Sequence, residues 1–219
     1  MTNDGQTNIQ AAIPQGSLTV TGNVFNDGTF KVTDTNVTYT GSFTNNGAYH
    51  SDPSTNIFNN LTVGTVGYLT GGLGDVFKMQ GDFTNNSTQY ALWNTSAATL
   101  EFTTGAATHN MITTGSFGQF DWGSLMLDAG ASLNLTGNLT VGLLDFTGGI
   151  TDLLSVLTGN FDIYYNASLA GNAWLNGQNY DDGAGGFITA YFNTPEPDSL
   201  LLMSVGFCGM FFSLRRRKA

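Results

Sequence analysis

Apolar and polar side chains alternate along much of the chain. Leu18 and Val20 flank Thr19, Leu133 and Leu135 flank Asn134, and Leu139 and Val141 flank Thr140. Spacing of two residues predicts β-strands with one buried face. The alternating stretches are short, and Asn-Asp-Gly, Asn-Asn-Gly and Gly-Gly punctuate them. Those tripeptides and dipeptides predict corners, with glycine expected to supply positive φ. Helical spacing is almost absent before Leu200. Asp152-Leu-Leu-Ser-Val-Leu157 is the one earlier stretch that suggests a helix.

The pattern repeats. Gly22-Asn-Val-Phe-Asn-Asp-Gly-Thr-Phe30 aligns with Gly41-Ser-Phe-Thr-Asn-Asn-Gly-Ala-Tyr49, an offset of 19 residues, and Gly81-Asp-Phe-Thr-Asn-Asn follows 40 residues later. Ser17-Leu-Thr-Val-Thr-Gly-Asn-Val24 returns as Ser132-Leu-Asn-Leu-Thr-Gly-Asn-Leu139. Asn60-Leu-Thr-Val-Gly64 returns as Asn138-Leu-Thr-Val-Gly142. A period near 20 is the length of one coil of a β-solenoid, and residues 16–190 have room for about eight or nine such coils. The expected fold is all-β. A parallel β-helix is expected over residues 16–193, after an N-terminal segment, 1–15. A β-sandwich is the alternative that short strands leave open. The succession of Phe-Thr-Asn-Asn and Leu-Thr-Val resembles the right-handed parallel β-helices of bacterial surface and autotransporter-like proteins. That likeness implies a right-handed coil.

Charge narrows the partners. Of six basic residues, four lie in 215–218; before them Lys31 and Lys78 face 16 acidic residues, a formal charge of −14. Such a body repels nucleic acid and anionic membrane surfaces. Cys208 is the only cysteine, so no intrachain disulfide and no cysteine-based metal site is available.

Candidate chemistry is sparse. Glycoside hydrolysis takes two carboxylates across the scissile bond, and the adjacent pair Asp181-Asp182 sits in a glycine-rich turn. His50 and His109 stand apart in polar surroundings, which reads as surface or turn histidines, and no metal site or cofactor is expected. Asp27, Asp181 and Asp182 are the weak calcium candidates, because acidic turns supply oxygen ligands. Thr19 and Thr21, Thr33 and Thr35, and Thr38 and Thr40 alternate as ice-binding ladders would, without recurring once per coil. Trp93, Trp122 and Trp174 read as core or capping rings before they read as sugar platforms. No residue is assigned a catalytic role.

The end of the chain is different in kind. Thr194-Pro195-Glu196-Pro197-Asp198-Ser199 is followed by an uncharged apolar run, 200–214, and then by Arg215-Arg216-Arg217-Lys218-Ala219. The prolines mark a boundary, and Asp198 or Ser199 can cap a helix. A short transmembrane helix is expected there. Its 15 residues fall below the roughly 17 to 20 that cross a bilayer core. The basic end should stay cytoplasmic and leave the body outside. The order Pro-Glu-Pro, apolar helix, arginine-rich end resembles the PEP-CTERM sorting signal of Gram-negative bacteria, a tail also known as an ice-binding protein C-terminal domain. The resemblance implies recognition of Pro195, Glu196 and Pro197, together with the Arg215, Arg216 and Arg217 end, by an exosortase-type membrane sorting enzyme. It also implies removal of the tail and association with exopolysaccharide and biofilm. Residues 1–6 carry neither a basic nor an apolar leader region, and a leader upstream of this start is expected. The expected function is a non-enzymatic, exported structural or adhesive protein of the cell surface or extracellular matrix. A glycan-active β-helix enzyme and an ice-binding solenoid are the alternatives.

Overall fold

The computed structural model describes residues 1–10, 16–104 and 108–193. They form a β-solenoid of about 8 turns with very little helix. A fifteen-stranded sheet and a four-stranded sheet wrap one core. Pairing is parallel throughout except where Tyr180–Asp181 runs antiparallel to Phe187–Tyr191. The first coil already contains Thr2–Asn3 and Gln6–Gln10, which pair with Val24–Asn26 and Thr29–Thr33, inside the stretch that the sequence pattern set apart as a leading segment.

Alternation along each strand becomes columns of side chains across coils. Val20, Tyr39, Phe58, Met79, Phe102 and Leu127 stack on one wall. Val24, Phe43, Leu61, Phe83, Met111 and Leu135 stack on a second. Phe30, Tyr49 and Leu69 stack on the third, the four-stranded sheet. From Val24 onward these side chains are buried. Their rings also stack: Phe30 on Tyr49 at 5.6 Å and 6°, Tyr39 on Phe58 at 4.9 Å and 13°.

The 19-residue offset is real in the early coils, where Phe30 pairs with Tyr49 and Val24 with Phe43. It then lengthens: Leu61 pairs with Phe83 and Phe83 with Met111, steps of 22 and 28 residues. The Leu-Thr-Val-Gly repeat marks strand chemistry and not coil position. Leu61 belongs to the column that ends at Leu135, whereas Leu139 pairs with Ile163. The helix expected at 152–157 forms as Ile150–Val156, and a 3-10 helix follows at Ala170–Leu175. Trp93 and Trp122 are core rings, and Trp174 packs against the core from outside.

Two polar devices run through this apolar interior. Asn3, Asn26 and Asn45 form a buried ladder. The Asn3 amide donates to Asn26 Oδ1 at 2.7 Å and the Asn26 amide to Asn45 Oδ1 at 2.6 Å. Each amide also donates to a corner carbonyl of the following coil: Thr29, Ala48 and Tyr68 respectively. The second device is a chain of buried hydrogen bonds. Tyr39 OH and Tyr49 OH lie 3.0 Å apart, Tyr49 OH donates to Asn56 Oδ1, and the Asn56 amide donates to Ser51 Oγ. Ser51 Oγ in turn donates to Asp75. Burying polar groups is tolerable only when each is paired, as here.

Burial holds both tyrosine hydroxyls well above their ordinary value. A neutral phenol favoured by the fold contributes stability that is complete below the unfolded value, near 10, and is lost as the pH rises beyond it. The melting temperature should therefore hold between pH 7 and about 9 and fall above about 10. A melting curve unchanged to pH 11.5 would contradict that assignment.

Candidate functional site

Near the C-terminal end of the stack, Thr95, Trp122, Val141 and Tyr165 pair in sequence across four strands. The positions after Trp122 and Val141 are Gly123 and Gly142. A Cβ on Gly123 would lie 2.6 Å from the Ala97 carbonyl carbon, and one on Gly142 would lie 2.6 Å from Gly123 O. Both glycines line a trough of about 690 Å³, together with Ser96, Phe117, Asp121, Thr140, Asn166, Leu169, Tyr191 and Phe192. That is the size range of a small-ligand site.

Aromatic rings form its walls. Phe117 meets Tyr164 at 4.8 Å and 63° and Tyr191 at 5.4 Å and 73°. Phe117 is 51% exposed and Phe192 62%, so ring surface faces solvent in the trough. Stacking on sugar rings or cations is what such surfaces can do.

Asp121 is the one acidic side chain lining the trough among the described residues. Its place is set by its neighbour. Phe120 has φ of 56°, a left-handed conformation that costs a bulky residue about 1–3 kcal/mol. The Phe120 ring is buried edge-on against Trp93 at 5.0 Å, which holds the strained backbone in place. Trp93 Nε1 donates to Thr95 Oγ1 at 2.7 Å, and the Thr95 hydroxyl donates to the Asp121 carbonyl at 2.5 Å. The Thr140 hydroxyl bonds the carboxylate, while Gly118 N–H donates to Thr140 Oγ1. Asp121 Oδ1 is buried with no hydrogen-bond partner. Burial pushes the Asp121 carboxyl above its usual range, and the Thr140 bond offsets part of that.

The residues singled out from the sequence do not meet here. Asp27 lies in an exposed turn near the other end of the stack and accepts the Asn46 amide at 2.8 Å. Asp181 and Asp182 accept backbone N–H groups of their own loop, Gly183, Ala184 and Gly186. No cluster of three or more His, Cys, Asp or Glu that could hold a metal occurs among the described residues. His109 is not a surface histidine: it is fully buried, with Nδ1 2.8 Å from the Gly81 carbonyl and Nε2 2.6 Å from the Thr103 carbonyl. It occupies an inward column position, where two corner carbonyls need partners. His50 is half-buried on the outer face, 2.7 Å from Thr70 Oγ1. The threonine ladder breaks after two coils, because Thr19 stacks on Thr38 and the row continues as Ile57, Lys78 and Glu101.

Pro195, Glu196, Pro197 and Arg215 to Arg217 lie outside the described residues, as does the expected helix at 200–214. No helix among the described residues is long and apolar enough to cross a membrane. Comparison with known families decides what this end is: a model described as the PEP-CTERM protein-sorting motif matches residues 193–218. The chain carries a PEP-CTERM sorting motif. This motif is the recognition signal of exosortase, a membrane sorting enzyme, and marks an exported protein sorted to the cell envelope or surface. None of the curated proteins or solved structures compared with the chain matches it. Asn193, the first residue of the PEP-CTERM match, also lines the trough.

Sequence reasoning passed over Asp121, Phe117 and Tyr191. A signal was present in Phe117-Gly-Gln-Phe-Asp-Trp122, which places three aromatic residues around one acid.

Proposed function

We infer that this PEP-CTERM protein is a non-enzymatic structural or adhesive component of the cell surface or extracellular matrix, holding glycan on a rigid solenoid. The observation that carries the reading is the trough: exposed Phe117 and Phe192 rings beside Asp121 and Asn166, on a floor of paired strands. Aromatic faces bind the apolar faces of sugar rings while a few fixed polar groups orient them. A single lining carboxylate among the described residues suits binding better than hydrolysis, which takes two. The basic end is read as the cytoplasmic stop of a transient inner-membrane anchor in a Gram-negative cell, with the body outside.

Two measurements test this. In fractionated native cells, the mature C-terminal peptide should end ahead of residue 200 and appear in the outer-membrane or extracellular fraction. An intact Arg215 to Ala219 end in the inner membrane would instead make the tail a permanent anchor. Purified protein should be retained on immobilised exopolysaccharide from the same cells, and loss of retention should follow Phe117→Ala.

A further inference from the structure

The trough has a chemistry more selective than glycan binding in general. Asp121 brings a negative charge that the Thr140 hydroxyl engages, and one of its oxygens is shut away from solvent with no partner among the described residues. Among the described residues, no lysine, arginine or histidine lines the trough. Ahead of the tail the chain holds only two basic side chains, Lys31 and Lys78. Lys78 is already bound to Glu101 at 2.5 Å, and Lys31 lies beside Asp52. A polyuronate or sulfated glycan would enter against a field of one sign with no cation to receive it. A cation is drawn in by that same field. It would meet a carboxylate and exposed aromatic faces, the two surfaces that favour an ammonium group.

We propose that the trough is a subsite for a hexosamine with a free amine, its ammonium beside Asp121 and its ring against Phe117 and Tyr191. The proposal rests on the glycan reading above and names the class of sugar. Ser96 and the backbone around Gly118 complete the polar rim, and the volume near 690 Å³ takes one or two sugar rings. An N-acetylated sugar has the same ring but no charge, so it would gain the stacking without the ion pair.

The test uses the full-length protein in detergent. Binding is measured by calorimetry for a glucosamine tetramer with free amines, its fully N-acetylated counterpart, and a polyuronate of similar length. The free-amine tetramer should bind at least tenfold more tightly than the acetylated one, with no binding of the polyuronate. Asp121→Asn, which keeps the side-chain shape, should remove that tenfold preference. Phe117→Ala should weaken both tetramers alike. Asp27→Asn, which removes one charge from an exposed turn near the other end of the stack, should leave the preference intact. If both tetramers bind equally and Asp121→Asn changes neither, the amine assignment is wrong and the glycan reading stands. If Asp27→Asn lowers the preference as much as Asp121→Asn, attraction to the whole acidic body explains it and the site is overturned. If no saccharide binds, both readings fail together.

Discussion

Asn26→Leu should cost about 2–6 kcal/mol, because it strands two buried partners at about 1–3 kcal/mol each. Asn26 is fully buried and sits mid-ladder. Its amide serves Asn45 Oδ1 and the Ala48 carbonyl, and its carbonyl oxygen receives the Asn3 amide. Leucine matches the volume and supplies neither donor nor acceptor, so Asn45 Oδ1 and Ala48 O lose their Asn26 donor inside the core. Asn3 keeps its bond to Thr29 O, which limits the loss on that side. Against a domain stability of about 5–15 kcal/mol this is a large fraction. Urea unfolding followed by circular dichroism should show a midpoint far below the parent's. A midpoint within error of the parent would mean that the ladder contributes nothing net.

Gly47→Ala should be comparably damaging for a different reason. A Cβ at Gly47 would lie 2.0 Å from the Gly28 carbonyl oxygen, far inside contact distance, and both atoms belong to backbone. The coils would have to part where Ala48 N donates to Gly28 O at 2.9 Å and Asn46 N to Asn26 O at 2.7 Å. Overpacking of about 1–3 kcal/mol, together with the weakening of those bonds, brings the expected cost to roughly 3 kcal/mol. Gly72→Ala is the control. Nothing lies within 4 Å of its Cβ position, and the change should stay within about 0.5 kcal/mol of the parent. Equal midpoints for the two variants would contradict a close backbone approach at Gly47.

These two sites show what could be read in advance. The repeat containing Asn26-Asp-Gly28 and Asn45-Asn-Gly47 announced the coil and its length, because stacked coils repeat the same inward chemistry. The reason for the glycines was misjudged. Positive φ was expected at these corners, yet neither Gly28 nor Gly47 adopts it; each is needed because the coil beneath passes too close for a Cβ. Strand spacing between coils leaves no trace in a linear pattern of two residues. Asn26 and Asn45 likewise looked like turn residues, and only stacking turned them inward. His109 was hidden by the same logic: its polar neighbours face outward while it faces the core. The trough was illegible because its parts come from five strands and the segments beside them, far apart in sequence. The sorting motif was legible, since a signal read by an enzyme must be local in sequence.

The asparagine ladder has a consequence for how such a molecule can change over generations. Asn3 and Asn26 each donate one bond to the next amide and one to a corner carbonyl, and Asn45, which accepts from Asn26, gives both of its own to the Gly47 and Tyr68 carbonyls. A tandem duplication of residues 27–45 would therefore insert a rung whose two ends already match what lies on either side. The rod would lengthen by one strand spacing, about 4.8 Å, and the distant trough would keep its lining. Reach from the cell could thus be adjusted in fixed increments by copying a single short stretch of coding sequence, with no new interface to invent.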